Sequence, residues 1–416
     1  ISGLPILGTR NSRGDMIVGG VLDELLDTCS RLGGYVGCIF DWRTCWGACV
    51  DPEVMRLAIV DALQQHGVDL LLGAPVHDAA TEGAQVTTLF VPGNGDGTVI
   101  DANVVVDCTG DAAITCMAGG ECEKGGPDGQ FQPVSLVFQM GPVDYPALLK
   151  FVRDHPEEVI LADNPIIDKM PSECAQALFE DCYPYLALSA EGWLLGSAIE
   201  AGEMYPCTAI FMSPTSLSRR EVTLNTTRLP NVDATDRCEL SRALPVLVEQ
   251  VEICVRFARD RIPGFEKAHL TRMAPRVGVR ETRRLLGEHV LTAEEVVEAS
   301  KSPDVIAIGG HHVDIHGAGT DQTRIPVRDG GSYDIPYGCL IPRTLENVLV
   351  AGRCLSSTRE ANGSARVMGT CIATGQAAGT AAALCAKRDC LNVRNLPVNL
   401  LQQTLRKDGA VLDPGS

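Results

Sequence analysis

The segment "VLVAGRCLSSTREANGSARVMGTCIATGQAAGTAAALC", Val348 to Cys385, restricts the fold more than any other part of the chain. An apolar strand runs into a glycine turn at Gly352. After a loop comes a helix that carries Gly369, Gly375 and Gly379. Glycine inside a helix costs roughly 0.5–1 kcal/mol relative to alanine, so several of them need a compensating contact. Two contacts can supply it. A helix N-terminus can approach an electron-rich ligand through its free N–H groups and its dipole. Alternatively, the helix can pack tightly on a strand with no ligand between them. Spacing alone leaves both open.

At 416 residues the chain is long enough for two or three domains. Its formal charge of −18 opposes binding to nucleic acid phosphates or an anionic membrane surface. No apolar run reaches the ~18–20 residues that span a bilayer. The 17 cysteines are scattered, and none forms a CxxC pair, so a zinc or iron–sulfur centre is not expected. They read as free thiols in a reducing compartment, which places the chain in the cytoplasm.

The unit "VDPEVMRLAIVDALQQHGVDLLLGAPVHDA" predicts a helix feeding a buried strand. Asp51 is the N-cap, Pro52 the first helical residue and Gly67 the stop, and "VDLLL" is the strand. "AQVTTLFV" and "GTVIDA" flank a "GNGDG" turn and predict a hairpin. "NVVVD" follows as a buried strand that ends on the glycine turn Asp107 to Asp111. In the middle of the chain, "VSLVFQM", "YPCTAIFM" and "EVTLNTTRL" predict strands. A helix is expected from about Asp236 to Arg261, started or kinked by Pro245.

Two clusters carry candidate chemistry. "RVGVRETRR" holds Arg276, Arg280, Arg283 and Arg284 around Glu281. Arginines three or four apart can converge on a carboxylate, or they can line a solvated face with Glu281 as an internal partner. "HHVDIHGAG" holds His311, His312, Asp314 and His316, and in a strand the last three share one face. An acid–base pair, a metal site and a polar loop all fit that pattern. The cysteines Cys45, Cys49, Cys354 and Cys371 read as small apolar fillers.

These stretches resemble a known family, the FAD-dependent oxidoreductases of the glutathione-reductase-like, two-dinucleotide-binding superfamily. "DIPYGCLIPRTLENVLVAGRCLSSTREANGSARVMGTCIATGQAAG" is similar to the segment that closes over FAD. "VVDCTGDAA" is similar to the "ATGDGD" turn, without its second Asp, and "PRVGVRETRRLLGEHVLT" to the family's Arg-rich segment. The resemblance runs in order through the whole chain. It implies an α/β fold with a discontinuous, Rossmann-like FAD domain, residues 1–126 and 336–416, and an α+β substrate domain inserted at 127–335. The family opens with a strand, a GxGxxG turn and a helix that cradle the pyrophosphate. "ISGLPILG" looks like a later segment near the flavin, so a truncated or split chain is expected.

The resemblance further implies FAD contacts at Val76, Thr109, Gly110, Asp111, Gly352, Arg353, Arg366, Val367, Met368, Gly369 and Thr370. It favours Asp314 and His316 over His311 in acid–base work. The arginine density of "RVGVRETRR" beside "DIH" marks Arg280 and Arg283 to hold an anionic or strongly polar group. No metal is implied. The expected reaction moves hydride or electrons between FAD and a small carboxylated or oxygenated organic substrate. The alternative is a flavoprotein subunit that needs a separate N-terminal segment. A redox partner or NAD(P)H as second electron carrier stays open, as does the oligomeric state.

Overall fold

The computed structural model describes all residues except 1, 94–96, 128, 318–320, 389 and 415–416. The "GNGDG" turn lies mostly outside the described residues.

Two hydrophobic cores organise the chain. The middle core is built on an antiparallel sheet with the strand order Leu186–Ser189, Ala209–Ser216, Glu221–Asn225, Phe138–Gly141 and His269–Met273. Phe138, Met140, Leu188, Ile210, Met212, Val222 and Leu224 fill its inner side. The helix Arg237–Arg261 lays Leu247, Val251, Cys254 and Phe257 into this core. Asp236 caps it by accepting from the N–H groups of Cys238 and Glu239. The helix runs through Pro245 rather than starting there, with Pro245 on the exposed side. Leu244, beside it, is exposed as well.

The other large core joins the two ends of the sequence. Ile6, Ile17, Leu22 and Met55 meet Leu349, Ala377, Ala381 and Leu401 there. Residues 305–308, Tyr333 and Ile335 also belong to this core. They lie inside the stretch assigned from sequence to the inserted domain, yet they pack with its flanks. The helix Pro52–Gln65 begins as predicted, with the Asp51 carboxylate accepting from the Glu53 N–H, and Gly67 follows it at φ 65°.

The segment after that helix differs from its reading. "VDLLL" forms no strand, and Val68, Leu70, Leu71 and Leu72 are exposed, Leu72 by 85%. An apolar run becomes a buried strand only beside a partner strand, and among the described residues none pairs with this one. Asp78–Glu82, Gln85–Val91 and Thr98–Asp101 make a separate three-stranded antiparallel sheet. Val105–Asp107 then pairs in parallel with Val348–Val350, and among the described residues this parallel sheet has only these two strands. Asn347 fastens the separate sheet to it. Its side chain accepts from the Val86 N–H and donates to the carbonyls of Val86 and Asn103.

Candidate active site

The parallel pair delivers two turns to one place. After Val105–Asp107 the chain turns through Thr109, Gly110 and Asp111, with Gly110 at φ 76°. The Asp107 carboxylate organises the turn. It accepts from the Thr109 N–H and hydroxyl through one oxygen, and from the Thr115 N–H and hydroxyl through the other. After Val348–Val350 come Gly352, at φ 81°, and Arg353. Arg353 donates to Asp111 at 2.8 Å and to the Thr282 hydroxyl at 3.2 Å, and Thr282 donates to the same Asp111 oxygen. A side chain on Gly110 would meet the Arg353 guanidinium at 2.8 Å, which explains the glycine there. Val76 packs against the apolar cluster that holds Val105, Ala112, Val348, Val350 and Cys354, below the two turns.

The glycine-rich helix, Met368–Lys387, starts beside both turns. Its glycines answer the sequence question in two ways. Gly369 faces the chain itself, since a Cβ there would lie 2.7 Å from the backbone of Leu7 and Gly8. Gly375 and Gly379 are one helical turn apart, and a Cβ on either would meet nothing within 4 Å. Thr370, on the first turn, is buried, and its hydroxyl has no hydrogen-bond partner among the described residues. The Asn362 carbonyl oxygen and Arg366 Nε are likewise buried without partners.

A cavity of about 290 Å³ opens at this helix start and reaches into the middle sheet. Arg353, Arg366, Val367 and Met368 line one end, and Tyr185, Phe211 and Met212 the other. Arg280, His311, His312, Asp314 and His316 lie along its wall. The last two sit on the strand Val313–His316, so the alternation read from sequence does turn them the same way. His316 Nε2 is 3.1 Å from the Asp314 carboxylate. An ionised carboxylate only accepts, so Nε2 carries the proton and Nδ1 keeps a lone pair. Burial outweighs the attraction of Asp314 and pushes His316 down to about 4. Burial also lowers His311 and His312, whose rings stack at 4.0 Å. Asp314 is buried too, yet His316 holds it well below the usual carboxylate range.

The arginine cluster divides. Arg280 reaches the cavity and donates to the Pro133 carbonyl and the Ser135 hydroxyl. Arg366 donates to the Gln132 side-chain oxygen and the Asp314 carbonyl. These acceptors are uncharged, and burial lowers Arg280 to about 10. Arg284 is buried against Glu281, which also accepts from Arg359 and the Gln132 N–H. Arg276 is exposed. Arg283 does not join Arg280: it lies outside the cavity, on the strand Arg283–Leu285. Of the two readings, convergence on one anion holds for Arg280 alone, because Arg283 belongs to a strand and Arg280 to the irregular segment before it.

Sequence reading missed Arg43 and Asp41, which meet at 3.2 Å on the cavity wall, with Arg43 4.9 Å over the Phe211 ring. Although burial works against its charge, Asp41 holds Arg43 well above its ordinary value. Nothing in "DWRTCWG" marks this pair, because Phe211 comes from a distant strand.

A profile of the family described as FAD dependent oxidoreductase matches residues 2–405. The chain belongs to that family. Its cofactor is FAD. Among curated proteins none matches the chain. Solved structures similar to it include the flavin-dependent brominase Bmp2, with 12% identity over 96% of this chain and 74% of the other, at TM-score 0.40. Another is a geranylgeranyl bacteriochlorophyll reductase-like protein from Thermoplasma acidophilum, with 11% identity, 88% and 61% coverage and TM-score 0.35. The chain therefore spans 61% of that protein's length. L-proline dehydrogenase from P. horikoshii shares 11% identity over 87% of this chain and 62% of its own, at TM-score 0.34. Among the described residues no helix is long and apolar enough to cross a membrane.

The residues at the helix start fit a flavin. Unsatisfied buried polar atoms at Thr370, Asn362 and Arg366 ask for a polar ligand. The open side of Gly352, where a Cβ would have no neighbour nearer than 3.9 Å, leaves room for its approach.

Proposed function

We propose that this FAD-dependent oxidoreductase acts on a small organic acid, bound in the cavity beside the start of the glycine-rich helix. One observation carries the reading. Arg280 and Arg366 line the same cavity as a neutral, carboxylate-oriented histidine, and their hydrogen-bond acceptors are uncharged. Two buried guanidiniums in an otherwise acidic chain draw an anion. FAD, when bound, accepts or donates the hydride or electrons. Gly352, Arg353, Val367, Met368 and Thr370 would hold it, with Thr109, Gly110 and Asp111 on the adjoining turn. Gly369 would set the helix against the Leu7–Gly8 backbone.

Arg280 and Arg366 fix the carboxylate of the substrate. His316, held neutral, takes a proton at Nδ1, and Asp314 keeps its tautomer and orientation. The apolar wall of Tyr185, Phe211 and Met212 receives the carbon skeleton and excludes water. With turnover measured on organic acids and their neutral esters, the acids are preferred. Arg280→Ala raises KM for the acids by about 10²-fold and leaves the esters unchanged, as losing a charge-assisted hydrogen bond predicts. His316→Ala lowers kcat with flavin content unchanged. Equal turnover of acids and esters, with unaltered kinetics in both variants, would overturn the reading.

A second reading rests on a separate observation. The exposed side chains of Val68, Leu70, Leu71 and Leu72, the open edge of Val105–Asp107 and the bare Gly375–Gly379 side of the helix are surfaces left uncovered among the described residues. A further strand–turn–helix unit packed there would supply the phosphate cradle, whether it comes from this chain's own gene product or from a second chain. FAD titration followed by visible absorbance separates the two. Weak binding by the 416-residue chain, made tight by adding such a unit, supports the second reading. A stoichiometric yellow complex of the chain alone removes it.

A further inference from the structure

Two thiols away from the cavity meet closely. Cys116, in the helix Ala113–Met117, and Cys122, at the start of the strand Cys122–Lys124, bring their sulfurs to 2.8 Å. A disulfide bond is about 2.05 Å long, so less than an ångström of closure separates this pair from one. The loop between them is built for that approach. Gly119 takes φ 83°, and a Cβ on Gly120 would lie 2.5 Å from Thr115 Cγ2. Both cysteines are half-buried, so small reagents reach them, whereas Cys354 beside them is buried. Leu285 pairs with Cys122 across the two-stranded sheet, and Arg283 stands two residues away on the same side. This is the arginine that sequence reading had assigned to the substrate.

We propose that Cys116 and Cys122 form a reversible intramolecular disulfide. The pair lies beneath the turn Asp107 to Asp111. Thr115, beside Cys116, holds Asp107, and Thr282, next to the strand that pairs with Cys122, holds Asp111. Oxidation therefore closes a covalent ring under the turn. The hydrogen bond from Cys122 and the nearby Arg283 charge lower Cys116 to about 7, against the effect of burial, so Cys116 is the attacking thiolate near neutrality. Cys122 is pushed up, chiefly by the same hydrogen bond, and remains the thiol.

The oxidant is a low-molecular-weight disulfide. The Cys116 thiolate attacks one of its sulfurs, forming a mixed disulfide and releasing one thiolate. Cys122 then loses its proton and attacks the Cys116 sulfur, releasing the second. The protein pair is oxidised by two electrons, and the small disulfide is reduced to two thiols.

The test uses the full chain, oxidised glutathione and acid quenching followed by alkylation. Trypsin cuts after Arg56 and Lys124, so residues 57–124 form one peptide that contains Cys108, Cys116 and Cys122. The expected peptide carries a single alkyl group and has lost two hydrogens, and dithiothreitol reverses the loss. The loss persists in Cys108→Ser and vanishes in Cys116→Ser and in Cys122→Ser. Its rate rises through pH of about 7, and Arg283→Gln moves that rise to higher pH. Three alkyl groups at the highest glutathione disulfide concentration would overturn the proposal, as would a loss that survives in Cys116→Ser through the exposed Cys108. The wild-type measurement decides the matter even if a serine variant folds poorly.

Discussion

The middle sheet and the parallel pair are both β-structure with glycine-rich or apolar neighbours, yet they are finished differently. The middle sheet has five strands, a long helix across it and a core that reaches Phe138, Met140 and Ile210 at essentially no exposure. The parallel pair has two strands, an open edge and a helix with a bare glycine side. Antiparallel sheets close on themselves with local hairpins, whereas a parallel sheet depends on crossovers and on cover for both faces. The stability of the first region is therefore internal, and that of the second depends on what is laid against it.

The sharpest way to break this contrast is to cut the tie between the regions. Glu281 accepts from Arg284, from Arg359 after the parallel pair and from the Gln132 N–H. Glu281→Ala leaves the buried Arg284 with only the exposed Glu123 as counter-charge and costs about 3 kcal/mol, read as the shift of a denaturant midpoint. A paired measurement comes next. Leu247→Ala in the middle core costs about 2–5 kcal/mol, while Leu71→Ser on the exposed segment stays within about 0.5 kcal/mol. A large loss from Leu71→Ser would show that the surface at residues 68–72 is already covered.

Acid tests the cavity between the regions. The unfolded chain protonates His311, His312 and His316 near 6.5, and burial makes the folded chain resist, for His316 down to about 4. Between those values the unfolded state binds more protons, so stability falls as pH falls through that window. His316→Asn flattens the slope of stability against pH there, as seen in thermal melts across the window. A small effect of opposite sign belongs to the helix. Gly375→Ala meets no neighbour and stabilises by about 0.5–1 kcal/mol. Gly369→Ala destabilises, because its Cβ collides with backbone at Leu7 and Gly8.

Much of the structure around the helix Pro52–Gln65, the parallel pair and the strand Val313–His316 was legible in the sequence, because its signals are local. The Asp51 cap, the Asp107 to Asp111 turn, the strand into Gly352 and the Asp314–His316 alternation each depend on a few adjacent residues. What failed depended on partners distant in sequence. "VDLLL" has the composition of a buried strand but no strand beside it. Arg280 and Arg283 look equivalent in a string, yet only Arg280 reaches the cavity, while Arg283 sits on a strand that pairs with Cys122–Lys124. Arg366 replaces Arg283 as the neighbour of Arg280, although the two are 86 positions apart in the numbering. The close approach of Gly369 to Leu7 and Gly8 could not be read either, since it joins the two ends of the chain.

Asn347 carries a consequence for how this chain can change over generations. Its amide accepts from one residue's N–H and donates to the same residue's carbonyl, as a facing peptide would in an antiparallel ladder. The three-stranded excursion is thereby stitched to the parallel pair by one side chain and need not share its register. Lengthening the excursion between Val91 and Thr98 leaves that stitch untouched, and each doubling of a loop costs only about 0.6 kcal/mol. The excursion is thus a port where new sequence can be grafted while the turns at Asp111 and Gly352 keep their places.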